Sequence, residues 1–135
     1  MQDASRTRDD VVRWAAGLYS EHVDHKDAGG FAAVFTQDGT LRFGNSDAIA
    51  GRDAIEVAIA QFFAAFRSLR HHSGRTWIDG DIVVLEAVVT YVRHDGNEVT
   101  VPAVTIFHLV PAGTSSTPLA DECRIYVDLT PLFAP

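Results

Sequence analysis

The sequence predicts an α+β fold in which helices cover one face of a curved antiparallel sheet. Two observations predict it. Up to Arg70 the apolar residues recur every three to four positions, which gathers them on one face of a helix. Beyond Arg70 they alternate, as in a strand. In the second half, Asp95-Gly96-Asn97 separates two long Val-rich runs, a strong hairpin signal. Size is a third constraint: 135 residues, 47% hydrophobic and 21% charged, make one ordinary domain over residues 1–135 with ample material for a core.

The elements follow in order. Thr7 and Asp10 resemble a capping box, and Val11, Val12, Ala15, Leu18, Tyr19, His22 and Val23 continue an amphipathic helix to about Lys26. Asp27 is placed to cap a second, shorter helix that buries Phe31, Val34 and Phe35, with Gly29-Gly30 working against it. Asp38-Gly39 punctuates the chain, Thr40 to Phe43 reads as a short strand, and Gly44 to Ala50 as a loop. Asp53, with Glu56 three residues on, predicts the cap of a third helix whose stripe is Ile55, Ile59, Phe62, Phe63, Phe66 and Leu69. Strands are then expected over 71–78, 82–94, 98–110 and about Glu122 to Thr130. Asp79-Gly80-Asp81 forms a turn, Pro111 to Pro118 a loop, and Pro131 a stop. Strands of a dozen residues must twist, so the sheet should curl around the helices. Its concave side then holds a packed core or a pocket.

Composition removes several classes of function. Eighteen acids against eleven bases give a net charge of −7, and Lys26 is the only lysine. A nucleic-acid binder shows the opposite balance, so nucleic acid is not expected as a partner. The same charge repels anionic lipid and acidic substrates, leaving a small neutral ligand as the better fit. Cys123 is alone, so neither a disulfide framework nor a cysteine metal cluster is expected. No apolar stretch has the length of a signal peptide core or membrane span, which predicts a cytoplasmic protein with no membrane association. The arginine bias and the many alanines suggest a GC-rich bacterial genome.

Several segments carry a family resemblance. Tyr19, Asp27, Phe31, Phe35, Asp38 and Gly39 look like the opening of the nuclear-transport-factor-2-like superfamily, near the SnoaL-like polyketide cyclases, ketosteroid isomerases and limonene epoxide hydrolases. Gly51-Arg52-Asp53-Ala54-Ile55 resembles the start of that family's third helix. Val101-Pro102-Ala103 with Phe107 resembles its long fourth strand, and Arg124-Ile125-Tyr126-Val127-Asp128 its last strand. The resemblance implies a cone of curved antiparallel sheet closed by three N-terminal helices, an apolar pocket inside, and frequent homodimers. One such fold carries many chemistries, so function must be argued from the site.

Alternation on the last strand puts Arg124, Tyr126 and Asp128 on one face. If that face lines the cone, burial raises the Asp128 pKa and makes it a general base or acid, the role the resemblance implies. The opposing reading is an exposed strand-end carboxylate. Tyr19 sits where ketosteroid isomerases carry an oxyanion donor, or else simply packs in the core. Their catalytic base falls at or near Phe43 here, which argues against that chemistry. Asn45 matches an epoxide-hydrolase asparagine, but that family's tyrosine is Phe43 and its arginine and aspartate are Val88 and Thr90. Epoxide hydrolysis is therefore disfavoured, and a plain turn residue is the alternative for Asn45. His71 and His72 sit where helix meets sheet and, being adjacent, at most one faces inward. His108, in phase with Val104 and Ile106, could reach the same interior. His22, Asp24, His25 and Asp27 lack an obvious third metal ligand and read better as a solvated helix end, so no metal is expected. Phe31, Phe62, Phe66 and Tyr126 are candidate pocket walls, while Trp77 and Tyr91 read as core or dimer surface.

The resulting expectation is a cofactor-independent enzyme that cyclises, isomerises or dehydrates a small apolar neutral molecule. Asp128, Tyr19 and one of His71 or His72 would be catalytic, with Asn45, Phe31, Phe62, Phe66, Tyr126 and His108 around the substrate. The alternative is a non-catalytic ligand-binding or dimerisation module whose cone is filled by bulky side chains.

Overall fold

A computed structural model describes residues 7–111 and 117–135, apart from the side chain of Ser73. The charged N-terminus and most of the Pro111–Pro118 loop lie outside the described residues.

Three helices precede most of the sheet. Helix α1 spans Arg8–Gly17, its capping box formed as expected between Thr7 and Asp10. The chain then departs from regular helix. Leu18–His22 is a π-helical turn, Val23–His25 a 3₁₀ turn, and Lys26 ends it in the left-handed region at φ 59°. Asp27 caps α2, Ala28–Ala32, by accepting the Gly30 amide. Helix α3 covers Arg52–Ala64 and buries Ile55, Ile59 and Phe63. Its cap is Gly51, not the expected Asp53: the Gly51 carbonyl accepts the Ile55 amide, and φ of 100° suits a residue without a side chain. Asp53 instead lies in the first turn, where the helix dipole favours an acid.

The six-stranded sheet runs β2-β1-β6-β5-β4-β3, with β1 Phe35–Phe43, β2 Ile49–Ala50, β3 Ser68–Asp79, β4 Ile82–Val92, β5 Glu98–Leu109 and β6 Ala120–Val127. All pairs are antiparallel except β1 with β6, where Leu41 pairs Cys123 and Phe43 pairs Ile125. Strand β1 begins five residues before the expected Thr40. Asp38-Gly39 does not end it, because the register shifts between Phe35 and Thr40 and absorbs both residues. Thr36 donates to the Asp38 carboxylate there, and Arg52 Nε donates to the Phe35 carbonyl at 2.8 Å. A Cβ on Gly39 would lie 3.2 Å from the Phe35 side chain, so the smallest residue suits this kink.

The core lies between the helices and the concave sheet face. Phe35, Leu41, Ile55, Phe66, Val83, Phe107 and Cys123 are almost completely inaccessible. Strand parity follows: Cys123, Ile125 and Val127 of β6, and Val101, Ala103, Thr105 and Phe107 of β5, point inward. No helix among the described residues is long and apolar enough to cross a membrane.

Asp27, a true cap, and Asp53, which is not one, should differ in the cost of truncation. Asp27→Ala should lower stability by about 1 kcal/mol, and Asp53→Ala by less than about 0.5 kcal/mol, in urea unfolding of the purified protein.

Candidate active site

The inward strand faces and the helix irregularity converge on one small cavity. Its polar side is built from Tyr19, His71, Tyr91 and Thr105, and its apolar walls include Phe31, Phe43, Phe62 and Val127. Its volume is about 40 Å³. A water needs about 10–15 Å³ by this measure, so a few waters fit and an organic ring does not unless the walls move.

His71 is the inward histidine, and His72, its neighbour on β3, is exposed. His71 Nδ1 lies 2.7 Å from Asp24 Oδ1. The His71 amide also donates to both Asp24 oxygens, at 3.2 and 3.1 Å. Only 15% of the His71 side chain and 17% of the Asp24 side chain are accessible. The Asp24 carboxylate can only accept, so the hydrogen sits on Nδ1 and donates to it, and Nε2 is left as the ring atom able to take up a proton. The Tyr19 ring lies 4.4 Å from the imidazole, and its hydroxyl donates to Thr105 Oγ1 at 3.3 Å.

Helix geometry explains why Asp24 is not evident in the sequence. Tyr19 and Asp24 are five residues apart, so a regular α-helix would splay them by about 140°. The π and 3₁₀ turns change that rotation and bring both side chains to His71. Lys26 holds the distortion in place. Its ammonium donates to the carbonyls of Phe66 and Arg67 at 2.9 and 3.2 Å and sits 5.5 Å from the Phe66 ring centre. The end of the first helical run is thereby fixed against the start of β3. His22 and Asp27, also considered as metal ligands, pair with each other at 2.8 Å. Among the described residues, no group of three or more His, Cys, Asp or Glu is placed to hold a metal ion.

Several expected site residues lie elsewhere. Asp128 is exposed and lies just past the end of β6, outside the cavity that Val127 lines. The Thr130 hydroxyl and amide hold its carboxyl below the usual carboxylate range, the reverse of the expected elevation. Tyr126 is 51% exposed and receives a hydrogen bond from Arg124 on the same outer face. The physical reason is that β6 turns its apolar set, Cys123, Ile125 and Val127, to the cone and its polar set to solvent. His108 follows the same parity on β5. It pairs with Asp121 at 2.6 Å outside the cavity, and that hydrogen bond raises its pKa. Asn45 sits in the exposed turn after β1, beside a broad outer hollow. Phe66 is core: it packs behind Tyr91 at 5.0 Å and does not reach the cavity. Phe31 and Phe62 do line it.

Burial raises the pKa of the Tyr19 phenol well above 10.0, with smaller contributions from Cys123, Tyr91 and Asp24. Burial, followed by the Asp24 charge, does the same to Tyr91. Both phenols remain neutral donors across the physiological range. Because folding raises both values, stability is unaffected below about pH 10 and falls as the pH climbs above it. In an alkaline titration followed at 295 nm, near pH 11 fewer than the chain's three tyrosines should ionise while the protein stays folded. The remaining absorbance should appear with alkaline unfolding.

Comparisons with known proteins agree with this architecture. The SnoaL-like domain model matches residues 15–113. No curated protein matches the chain. Among solved structures, a protein named as a SnoaL-like polyketide cyclase from Jannaschia sp. CCS1 is 24% identical, with 100% of this chain and 99% of that one covered and a TM-score of 0.75. ActVI-ORFA from Streptomyces coelicolor is 23% identical over 88% of this chain and 95% of that one, with a TM-score of 0.74. A Catenulispora acidiphila protein in complex with S-DNPA is 22% identical over 91% and 94%, with a TM-score of 0.69. The fold is thus the three-helix, curved-sheet architecture of the nuclear-transport-factor-2-like proteins, and the chain belongs to the SnoaL-like domain family.

Proposed function

We propose that the chain is a cofactor-independent enzyme that moves protons on a small, neutral, largely apolar molecule, in a cyclisation, isomerisation or dehydration. The observation that carries this reading is the Asp24–His71 pair at 2.7 Å, set at the wall of an aromatic cavity. His71 Nε2 takes a proton from carbon, or delivers one to a departing hydroxyl. Asp24 orients the ring and stabilises its protonated form. Tyr19, a neutral phenol, turns its single proton from Thr105 to the oxygen on which charge develops. Asp128 has no part in these steps. The naming of one similar structure as a polyketide cyclase supports the same reaction class.

A second reading rests on the cavity's size. Phe62 and Phe43, 4.8 Å apart, help fill the cone, as expected of a non-catalytic binding or dimerisation module. Proton exchange separates the two readings. In D₂O the protein should accelerate loss of the α-proton NMR signal of 2-tetralone. His71→Gln should reduce that rate by about 10²-fold or more, and Asp128→Asn should leave it unchanged. Exchange at the uncatalysed rate with the unmodified protein favours the module.

The outer sheet face suits a second copy of the chain. Trp77, Val88 and Tyr126 are 48%, 43% and 51% exposed there, a larger apolar display than scattered surface residues require. Sedimentation equilibrium should show a dimer, and Tyr126→Glu should shift it toward monomer.

A further inference from the structure

Tyr91 has a hydroxyl that the steps above leave unused. It stands on β4 and lines the cavity alongside Tyr19. The residue is 3% exposed, its hydroxyl forms no hydrogen bond among the described residues, and its oxygen is not among the fully enclosed polar atoms left without a partner, so the cavity reaches it. Tyr19, by contrast, has Thr105 as a partner.

A hydroxyl that meets cavity space in place of a protein partner is open to a water or to a ligand oxygen there. The Tyr91 ring has little freedom to turn it elsewhere. Phe66 packs on it edge-on at 5.0 Å and 78°, and Phe62 at 6.2 Å and 83°. The hydroxyl is therefore held in place at the cavity wall, within the electrostatic reach of Asp24 and of the Tyr19 phenol.

We propose that Tyr91 is a second substrate-contacting donor: its hydroxyl and that of Tyr19 together bind one oxygen of a flat aromatic ligand, a carbonyl or phenol oxygen. This deepens the proton-transfer reading and rests on the same cavity being the reactive site. The ligand class follows from the walls. Aromatic rings flank the two phenols, so a flat ring stacks between them while its oxygen meets the donors. Entry requires the cavity to widen. Phe62 is the wall best placed to yield, being half-buried where Phe63, Phe66 and Tyr91 are buried. Two neutral phenols aimed at one oxygen also stabilise the negative charge that builds there when His71 removes a proton from the neighbouring carbon.

The test uses 2-naphthol, with naphthalene as the ring that lacks the oxygen. Calorimetric titration should show Tyr91→Phe binding 2-naphthol about tenfold more weakly than the unmodified chain, with naphthalene affinity equal in the two. Urea unfolding of Tyr91→Phe should have an equal or higher midpoint, because the lost hydroxyl made no bond in the free protein. Unchanged 2-naphthol affinity overturns the assignment. So does a lowered midpoint, which marks a structural hydrogen bond, and so does a failure of the unmodified chain to bind 2-naphthol. His71→Gln keeps the two proposals apart: it should retain 2-naphthol binding while losing 2-tetralone exchange. Exchange that survives His71→Gln, beside a binding defect in Tyr91→Phe, would overturn the catalytic reading and leave the binding role of Tyr91 standing.

Discussion

The Asp24 carboxylate is the interaction on which the rest of the site depends. It accepts the His71 amide and faces the His71 ring nitrogen at 2.7 Å, so one side chain joins the end of the helical segment to a sheet strand. Hydrogen bonds to a charged group contribute about 1.5–3 kcal/mol each. That is enough to offset a backbone irregularity of one or a few kcal/mol. The irregularity is present: a π turn, a 3₁₀ turn and a left-handed Lys26 follow one another directly. Lys26 completes the clamp from the other side through two carbonyls at the entry to β3. Helix distortion, histidine orientation and cavity are therefore one arrangement.

The arrangement also separates charge from apolar surface. A single carboxylate is spent on orienting an imidazole, while the other polar groups at the cavity, Tyr19, Tyr91 and Thr105, are neutral. Such a lining suits the neutral ligand proposed above, which would enter without desolvating a charge of its own. The chain's net charge of −7 is carried largely outside, by exposed acids such as Asp53, Glu86, Glu122 and Asp128.

Much of the fold was legible in the sequence. The change of period after Arg70 located the sheet, Asp95-Gly96-Asn97 located a hairpin, and the Thr7 and Asp27 caps hold. The miscarried parts have physical causes. On β5 both faces are largely apolar, with Val104 and Ile106 opposite Ala103 and Thr105, so alternation alone does not say which face is inside. On β6 alternation separates a polar set from an apolar set without saying which faces the cone; the apolar set does, so of the two readings of Asp128 the exposed carboxylate holds. Asp24 reads from the sequence as part of a solvated helix end, and its pairing with His71 is not evident, because a spacing of five from Tyr19 makes no pattern on a regular helix and the π turn leaves no sequence signal. Tyr19 is legible through the family resemblance, and His71 through its place where helix meets sheet. Only the three-dimensional contact joined them to Asp24.

In the proposed function Asp24 sets the tautomer of His71 and so frees Nε2 for proton transfer. Long-range ¹H–¹⁵N NMR of the histidine rings tests it most directly, with Asp24→Asn used to assign the His71 signals. The neutral His71 ring should carry its proton on Nδ1, with Nε2 showing the shift of an unprotonated nitrogen. A proton on Nε2 in the unmodified chain, or a His71 signal that does not respond to Asp24→Asn, would contradict the account.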